Sequence, residues 1–393
     1  MRAPGLATIA LLAAACGNAT PAATATPSPS PTATATAVAT VTASPACDSA
    51  AVVNGWPLVE RLTQLIVVPA IDGHITALYQ TISAGAGGVL LLGSPGADFH
   101  QQITIAQRLA AVPPMIMVDQ EGGGVQRLGA QVQSLPWPRQ MAQTMTATAV
   151  ESAAASLGAQ MHALGVTADL APVLDVDGGA GPNERNPDGS RSFSAEPATA
   201  STYGLAFASG LRKSGVLPVV KHFPGLGGSN ANTDYSPAST LPLATLQTTG
   251  LPPFRAAISA GLPAVMVANA TVPGLTTGPA SLSSAAISDL LRRQLSFTGL
   301  VMTDSLSAGA ITAAGLSLPD ATVAAIAAGA DMVLFGSTLT AAETALLSPD
   351  KVTESVLSMV QALTTAVESG RLPTSRVTDA VLHVLAAKNR SLC

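Results

Sequence analysis

Eight short apolar runs recur along the chain, at residues 64–69, 88–93, 115–120, 169–176, 217–223, 264–271, 299–306 and 331–336. Between them lie longer segments of helical pattern, among them 98–111, 150–164, 198–213, 251–260 and 283–295. A run that is apolar at consecutive positions reads as a strand buried on both faces. Strands that alternate with helices long enough to cross back over a sheet imply parallel pairing. Eight such units predict a closed (β/α)8 TIM-type barrel, with an open doubly wound sheet as the alternative. Hydrophobic residues make up 48% of the chain against 10% charged, enough apolar material for one large core.

In a parallel barrel the site lies at the C-terminal ends of the strands. Charged residues are scarce in this chain, so their concentration at those ends is informative. The third run leads into Asp119, Gln120 and Glu121, then Gly122–Gly124 and Arg127, and the fourth ends near Asp175 and Asp177. The fifth ends in Lys221 and His222 before breaking on Pro224 and Gly225; Asn269 ends the sixth, and Asp304 and Ser305 the seventh. Such a rim offers hydrogen-bond partners to a sugar-sized molecule. Aromatic residues are only 3%, too few to pave a long polysaccharide groove, so a small pocket is expected. Each element also has a plainer reading. The three glycines fit neither nucleotide fingerprint and suit a tight turn. Asp175 and Asp177 suit helix caps or the holding of a neighbouring loop, and Lys221 suits a buried ion pair with Asp119 or Asp175. Asp304 is harder to set aside, because an unpaired carboxylate ending an apolar strand is costly unless hydrogen-bonded or used.

The remaining features bound the setting. With 18 Lys+Arg against 23 Asp+Glu, no basic stripe exists for nucleic acid. The five histidines are scattered and no Cys/His cluster occurs, so neither a protein-held metal nor a cofactor is expected. Arg2, the apolar run 6–15 and the small residues before Cys16 read as an export signal over 1–16. Its lipobox-like end makes Cys16 a candidate for lipidation, with a plain signal peptide as the alternative. Residues 17–46 are Ala, Thr, Pro and Ser, a tether that cannot bury enough to fold, and 47–393 is the expected barrel domain. Cys47 and Cys393, one at each end of that domain in an exported protein, suggest a disulfide. The expectation is an extracytoplasmic monomer, held to the membrane only through lipid or else secreted, whose partner is a small carbohydrate.

Several separated motifs together resemble family 3 glycoside hydrolases, specifically the single-domain β-N-acetylglucosaminidases (β-hexosaminidases) of bacterial cell-wall turnover, over roughly residues 55–390. VDQEGGGVQRL at 118–128 resembles the family's D-Q-E-G-G-R-V-Q-R; APVLDVD at 171–177 and RSF at 191–193 match. KHFPG at 221–225 is the most recognisable, and VMTDSLSAGAI at 301–311 resembles the nucleophile strand, usually S-D-D-L-S-M. The resemblance implies an exo-acting, retaining β-glycosidase without a cofactor. It assigns Asp119, Arg127, Arg191, Lys221 and His222 to the hydroxyls of the terminal sugar, and Asp304 to the nucleophile of a glycosyl-enzyme intermediate. Two-domain members take their acid/base from a second domain, for which this chain is expected to be too short.

One departure bears on mechanism. The branch carries K-H-F-P-G-H-G and then D-S-H, whose last His is the acid/base. Here the first His is Leu226, and Asp-x-His becomes Asp234-Tyr235-Ser236. Asp234 is the candidate acid/base, Tyr235 a weaker one because a phenol near pKa ~10 regains its proton reluctantly. A turn cap within 232–237 is the plainer role for Asp234, and the loop's glycines would allow it to swing. Two functional classes stay open: a glycosidase with an altered acid/base, including β-glucosidase or phosphorylase variants of the fold, and a sugar-binding lipoprotein that has lost turnover.

Overall fold

A computed structural model describes residues 48–392. The leader, the tether, the lipidation candidate Cys16 and the expected Cys47–Cys393 pairing lie outside the described residues. The eight barrel strands are β1 (Ile66–Ile71), β2 (Gly88–Leu92), β3 (Met115–Val118), β4 (Ala168–Asp169), β5 (Leu217–Phe223), β6 (Ala264–Val267), β7 (Leu300–Thr303) and β8 (Val333–Leu334). They form one parallel sheet in the order β8-β1-β2-β3-β4-β5-β6-β7. β8 returns to β1, with Ile66 opposite Val333 and Val67 opposite Leu334. The seam between β7 and β8 is closed by the Met302–Met332 bridge and by the N–H groups of Thr303 and Leu306, which donate to Met332 and Leu334 at 3.1 and 2.8 Å. The sheet is therefore a (β/α)8 barrel, and each predicted apolar run overlaps one of its strands.

The ladders are shorter than the apolar runs. The fourth run, read as a strand over 169–176, keeps only Ala168–Asp169 in the sheet. Pro172 has no N–H to give a ladder, and the chain beyond it stays beside β5 through the single bridge Val173–Lys221. That departure turns Asp175 to the end of β5 and the residues just after it, and Asp177 to the loop over 179–189. The helices follow local signals. Thr146 accepts from the N–H of Ala149 and caps α1 (Ala147–Ala163). Pro197 opens α2 (Pro197–Lys213), whose last turn carries Arg212 and Lys213 against the helix dipole. No helix among the described residues is long and apolar enough to cross a membrane.

The strand starts are held by a different group. Asp331, fully buried just before β8, accepts from the backbone of Val301 at 2.9 Å, from Arg376 at 2.7 Å and from Arg292. His383 lies 3.0 Å away. Burial alone would raise the pKa of Asp331, but His383, Arg292 and Arg376 outweigh it and the pKa is lowered. This cluster sits at the strand starts, on the rim opposite the polar strand ends.

Candidate active site

The C-terminal strand ends enclose a cavity of about 270 Å³, and Asp119, Arg127, Arg191, Lys221, His222, Asp234 and Asp304 all line it. A cavity of that size is at the small end for ligand sites, suited to one terminal sugar unit and not to a chain of them.

Glu121 is the hub of one wall. It is 1% exposed, and it bonds Arg191 through Nε and Nη2, both at 2.8 Å. Lys221, itself buried, reaches Glu121 at 2.7 Å and Asp119 at 2.6 Å. Burial pushes the Glu121 carboxyl up, but Arg191 and Lys221 overcome this and hold it well below the usual range. For Lys221 burial works downward, and Asp119 and Glu121 together raise its pKa above the ordinary value. Lys221 thus pairs with Asp119 and Glu121, not with Asp175. The glycines beside Glu121 make the tight turn expected, between the short strands Gln120–Gly122 and Val125–Gln126. Gly123 has φ +58°, and a Cβ there would sit 1.9 Å from the Trp137 ring, so only glycine lets the indole cover this hairpin. Arg127 follows the hairpin and lines the cavity; its Nε is buried and meets no hydrogen-bond partner among the described residues.

Asp175 holds the opposite wall. Its Oδ2 accepts from the His222 backbone N–H at 3.0 Å and lies 2.6 Å from His222 Nδ1, while Oδ1 accepts from Leu226 N–H at 2.6 Å. Its plainer role, holding a neighbouring loop, is therefore real, and through it His222 is oriented. Burial raises the Asp175 pKa to about 7 and lowers that of His222 to about 4. Asp177 similarly binds the loop above, accepting from Gly179, Asn186 and Gly189. Asp175, Asp188 and His222 are the described side chains here that could be considered for a metal, with donor atoms within 4.8 Å of one another. The 2.6 Å contact between His222 Nδ1 and Asp175 Oδ2 is a proton's distance; two ligands each about 2.0–2.2 Å from a tetrahedral zinc stand farther apart.

The floor of the cavity carries Asp304. Its Oδ1 accepts from Ser305 N–H at 2.8 Å. Ser305 is fixed on two further sides, its carbonyl accepting from Asn269 Nδ2 at 2.6 Å and its hydroxyl donating to Glu343 at 3.0 Å. Asn269 in turn accepts from Ser281 at 2.6 Å. Burial raises the Asp304 pKa; His222 opposes this and the charge of Asp234 adds to it.

Leu226, where the resembling branch has His, is 1% exposed and packs with Ala238, Ala268 and Ala270. An apolar side chain thus occupies the place of a polar one without leaving a buried polar atom. Asp234 lies beyond it. The turn cap within 232–237 is made by Asn232, whose Oδ1 accepts from the Asp234 N–H at 3.0 Å. The Asp234 carboxyl itself accepts no hydrogen bond from any described residue. Burial, and secondly Glu343, raise its pKa to about 6. The loop is tied on both sides by backbone carbonyls: Asn232 N–H and Nδ2 donate to those of Glu184 and Asn183 at 3.3 and 3.2 Å, and Gly309 and Ala310 N–H donate to those of Asp234 and Thr233, both at 3.0 Å. Tyr235 is half exposed at the cavity rim.

Sequence reasoning gave no site role to Glu121, Asp188 or Glu343. Glu121 sat inside the Asp119–Arg127 motif and was findable there. Asp188 lies in the loop after β4 and Glu343 in the short helix Ala341–Thr344 after β8, neither with a surrounding pattern, and only the fold brings them to the site.

The chain was compared with known proteins. Residues 84–387 match the model of the glycosyl hydrolase family 3 N terminal domain. A beta-hexosaminidase, LpqI, of Mycobacterium tuberculosis is 34% identical over 367 residues, 88% of this chain and 87% of the relative. A beta-hexosaminidase of Xanthomonas oryzae is 35% identical over 261 residues, 64% of this chain and 76% of the relative. The crystal structure of beta-N-acetylhexosaminidase from Beutenbergia cavernae superposes with a TM-score of 0.75 at 30% identity, covering 85% of this chain and 99% of that one. The barrel, the strand-end motifs and these matches agree, and the chain belongs to glycoside hydrolase family 3.

Proposed function

We propose that this protein is an exo-acting, retaining β-glycosidase of the β-N-acetylhexosaminidase type, with Asp304 as nucleophile and Asp234 as acid/base. The observation that carries the reading is the Asp234 carboxyl, which lines the same cavity as Asp304, is bonded to nothing described, and has its pKa raised to about 6. Asp304 attacks the anomeric carbon as the glycosidic C–O bond breaks, and Asp234 gives its proton to the departing oxygen. In the second half Asp234, now a carboxylate, takes a proton from the water that releases the sugar from Asp304. The Glu121–Lys221–Asp119 cluster, Arg191 and Arg127 supply the hydroxyl partners. The small cavity favours removal of one terminal sugar, and the relatives' names support an N-acetylhexosamine; cell-wall glycans are the substrate class we propose. We also propose export and anchoring through Cys16, supported by Arg2, the apolar run 6–15 and the tether behind it.

The test is leaving-group dependence, run on aryl β-N-acetylglucosaminides, glucosides and xylosides of graded leaving ability. General acid catalysis contributes about 10²–10⁴-fold, so Asp234→Asn should lose that much on poor leaving groups. It should spare the first step on activated aryl glycosides and recover with azide. The wild-type rate on poor leaving groups should fall as pH rises through about 6, where Asp234 loses its proton. Equal loss on both substrate types without azide rescue would remove Asp234 from the role, and hydrolysis of none of the three glycosides would remove the reaction itself.

A further inference from the structure

Asp188 takes no part in the reaction just described. It is fully buried in the loop between β4 and α2, and neither carboxyl oxygen has a hydrogen-bond donor among the described residues. The groups that could neutralise it are engaged elsewhere. Arg191 is spent on Glu121 and on the carbonyl of Pro187 at 2.9 Å. Arg139 bonds the carbonyls of Asp177, Gly179 and Gly189 and stands 3.7 Å from the Asp177 carboxylate. Asp177 is a further negative charge on the same side. What Asp188 does meet is the pair Asp175–His222, within 4.8 Å. Asp175 already accepts from two backbone N–H groups, one on each oxygen, and its Oδ2 lies 2.6 Å from His222 Nδ1. Two carboxyl groups buried side by side with no cation bonded between them cannot both ionise, and the economical arrangement is one shared proton.

We propose that Asp188 is a positioning residue that works as a neutral acid: its O–H donates to Asp175, which keeps the His222 proton on Nδ1 and leaves Nε2 as an acceptor for a sugar hydroxyl. The charge balance agrees. Burial, and then the charge of Asp175, push the Asp188 pKa well above the carboxylate range, and burial keeps His222 neutral. His222 lines the cavity with Nδ1 occupied, so only its other nitrogen is open to a ligand. A carboxylate at position 188 would pull a second proton onto the imidazole, turning that acceptor into a donor.

The role assigned to Nε2 rests on the glycosidase reading, whereas the proton on Asp188 does not, and the experiment separates them. Nitrogen-15 NMR of the wild-type protein should show His222 as the neutral Nδ1–H tautomer from about pH 5 to about pH 8, although free histidine titrates near 6.5 in that range. Infrared spectra with carbon-13-labelled Asp should show a protonated-carboxyl band at neutral pH that Asp188→Asn removes. The amide of that variant replaces the O–H donor, so kcat/KM should stay within about threefold, whereas Asp188→Ala, without a donor, should raise KM about tenfold with kcat less affected. An imidazolium at His222 near pH 7 would overturn the proposal, and this holds even if the variants do not fold. Equal losses in the Asn and Ala variants would overturn it too. So would a stoichiometric metal in the wild type that is absent from Asp188→Asn, since the carboxylate would then be a ligand. Intact spectra in a protein that cleaves no glycoside would refute the reaction and leave the proton in place.

Discussion

Replacing Glu121 by Gln tests whether the site is built on charge. Glu121 is 1% exposed and meets Arg191 twice at 2.8 Å and Lys221 at 2.7 Å. Glutamine keeps the shape, but it turns one acceptor oxygen into an N–H₂ that must face a guanidinium or an ammonium. Lys221 would retain Asp119 at 2.6 Å, whereas Arg191 would lose its carboxylate partner and keep only the Pro187 carbonyl. Breaking a buried pair from one side costs about 3–5 kcal/mol, and the surviving Lys221–Asp119 contact places the expected loss near the lower figure. Urea unfolding followed by tryptophan fluorescence reads it, because Trp137 covers the neighbouring hairpin. The pH dependence has a definite sign. The folded pKa of Glu121 lies well below its unfolded value near ~4.3, so its contribution is fully present above that value and fades as pH falls toward the folded one. The variant lacks this group, and the gap between the two proteins should narrow below about pH 4. A loss under about 1 kcal/mol at neutral pH, or a gap that stays constant on acidification, would refute the buried ion cluster as a source of stability.

Asp304→Ala should abolish turnover while leaving the unfolding midpoint near that of wild type, and a 2-fluoro glycoside should label Asp304 and no other residue by peptide mass spectrometry. Arg127→Ala removes a donor with no partner among the described residues, so it should leave stability unchanged. It should lower kcat/KM by the equivalent of one charge-assisted hydrogen bond, about 1.5–3 kcal/mol. Asp331→Ala at the opposite rim should do the reverse. It leaves Arg292 and Arg376 without their buried partner, at a cost of about 3–5 kcal/mol in unfolding, with KM unaltered in the molecules that remain folded.

The barrel was legible because both of its signals are local: apolar runs of strand length, and helices long enough to cross back. The strand limits were less so, since a buried run does not announce where its hydrogen bonds stop; Pro172 is the one visible mark, and the fourth ladder ends before it. Asp119, Lys221, His222 and Asp304 were legible as polar residues ending apolar strands. Arg127 was in view as a charge just past the third strand end, its role and those of Arg191 and Asp234 came through motif resemblance, and Glu121 was in view inside the same motif without being chosen. Asp188 and Glu343 had no such mark. Their importance comes from burial without donors in one case and from two serine hydroxyls in the other, and neither condition is written in neighbouring residues.

The backbone bonds from Gly309 and Ala310 to the loop that carries Asp234 have a mechanical consequence. Gly309 follows the strand that ends in Asp304, and a Cβ on it would stand 2.6 Å from the Tyr235 backbone, so the two loops are seated against each other with no slack. In the proposed reaction, the donor Asp234 and the nucleophile Asp304 would therefore be carried by loops bonded directly to each other, so that a shift of one loop is felt by the other. A different edge of the mouth is formed by the chain after β8. Ser337, Thr338 and Leu339 line the cavity after β8, and Leu339 is 50% exposed. In the proposed reaction, substitutions there would reshape the mouth without touching Asp234 or Asp304.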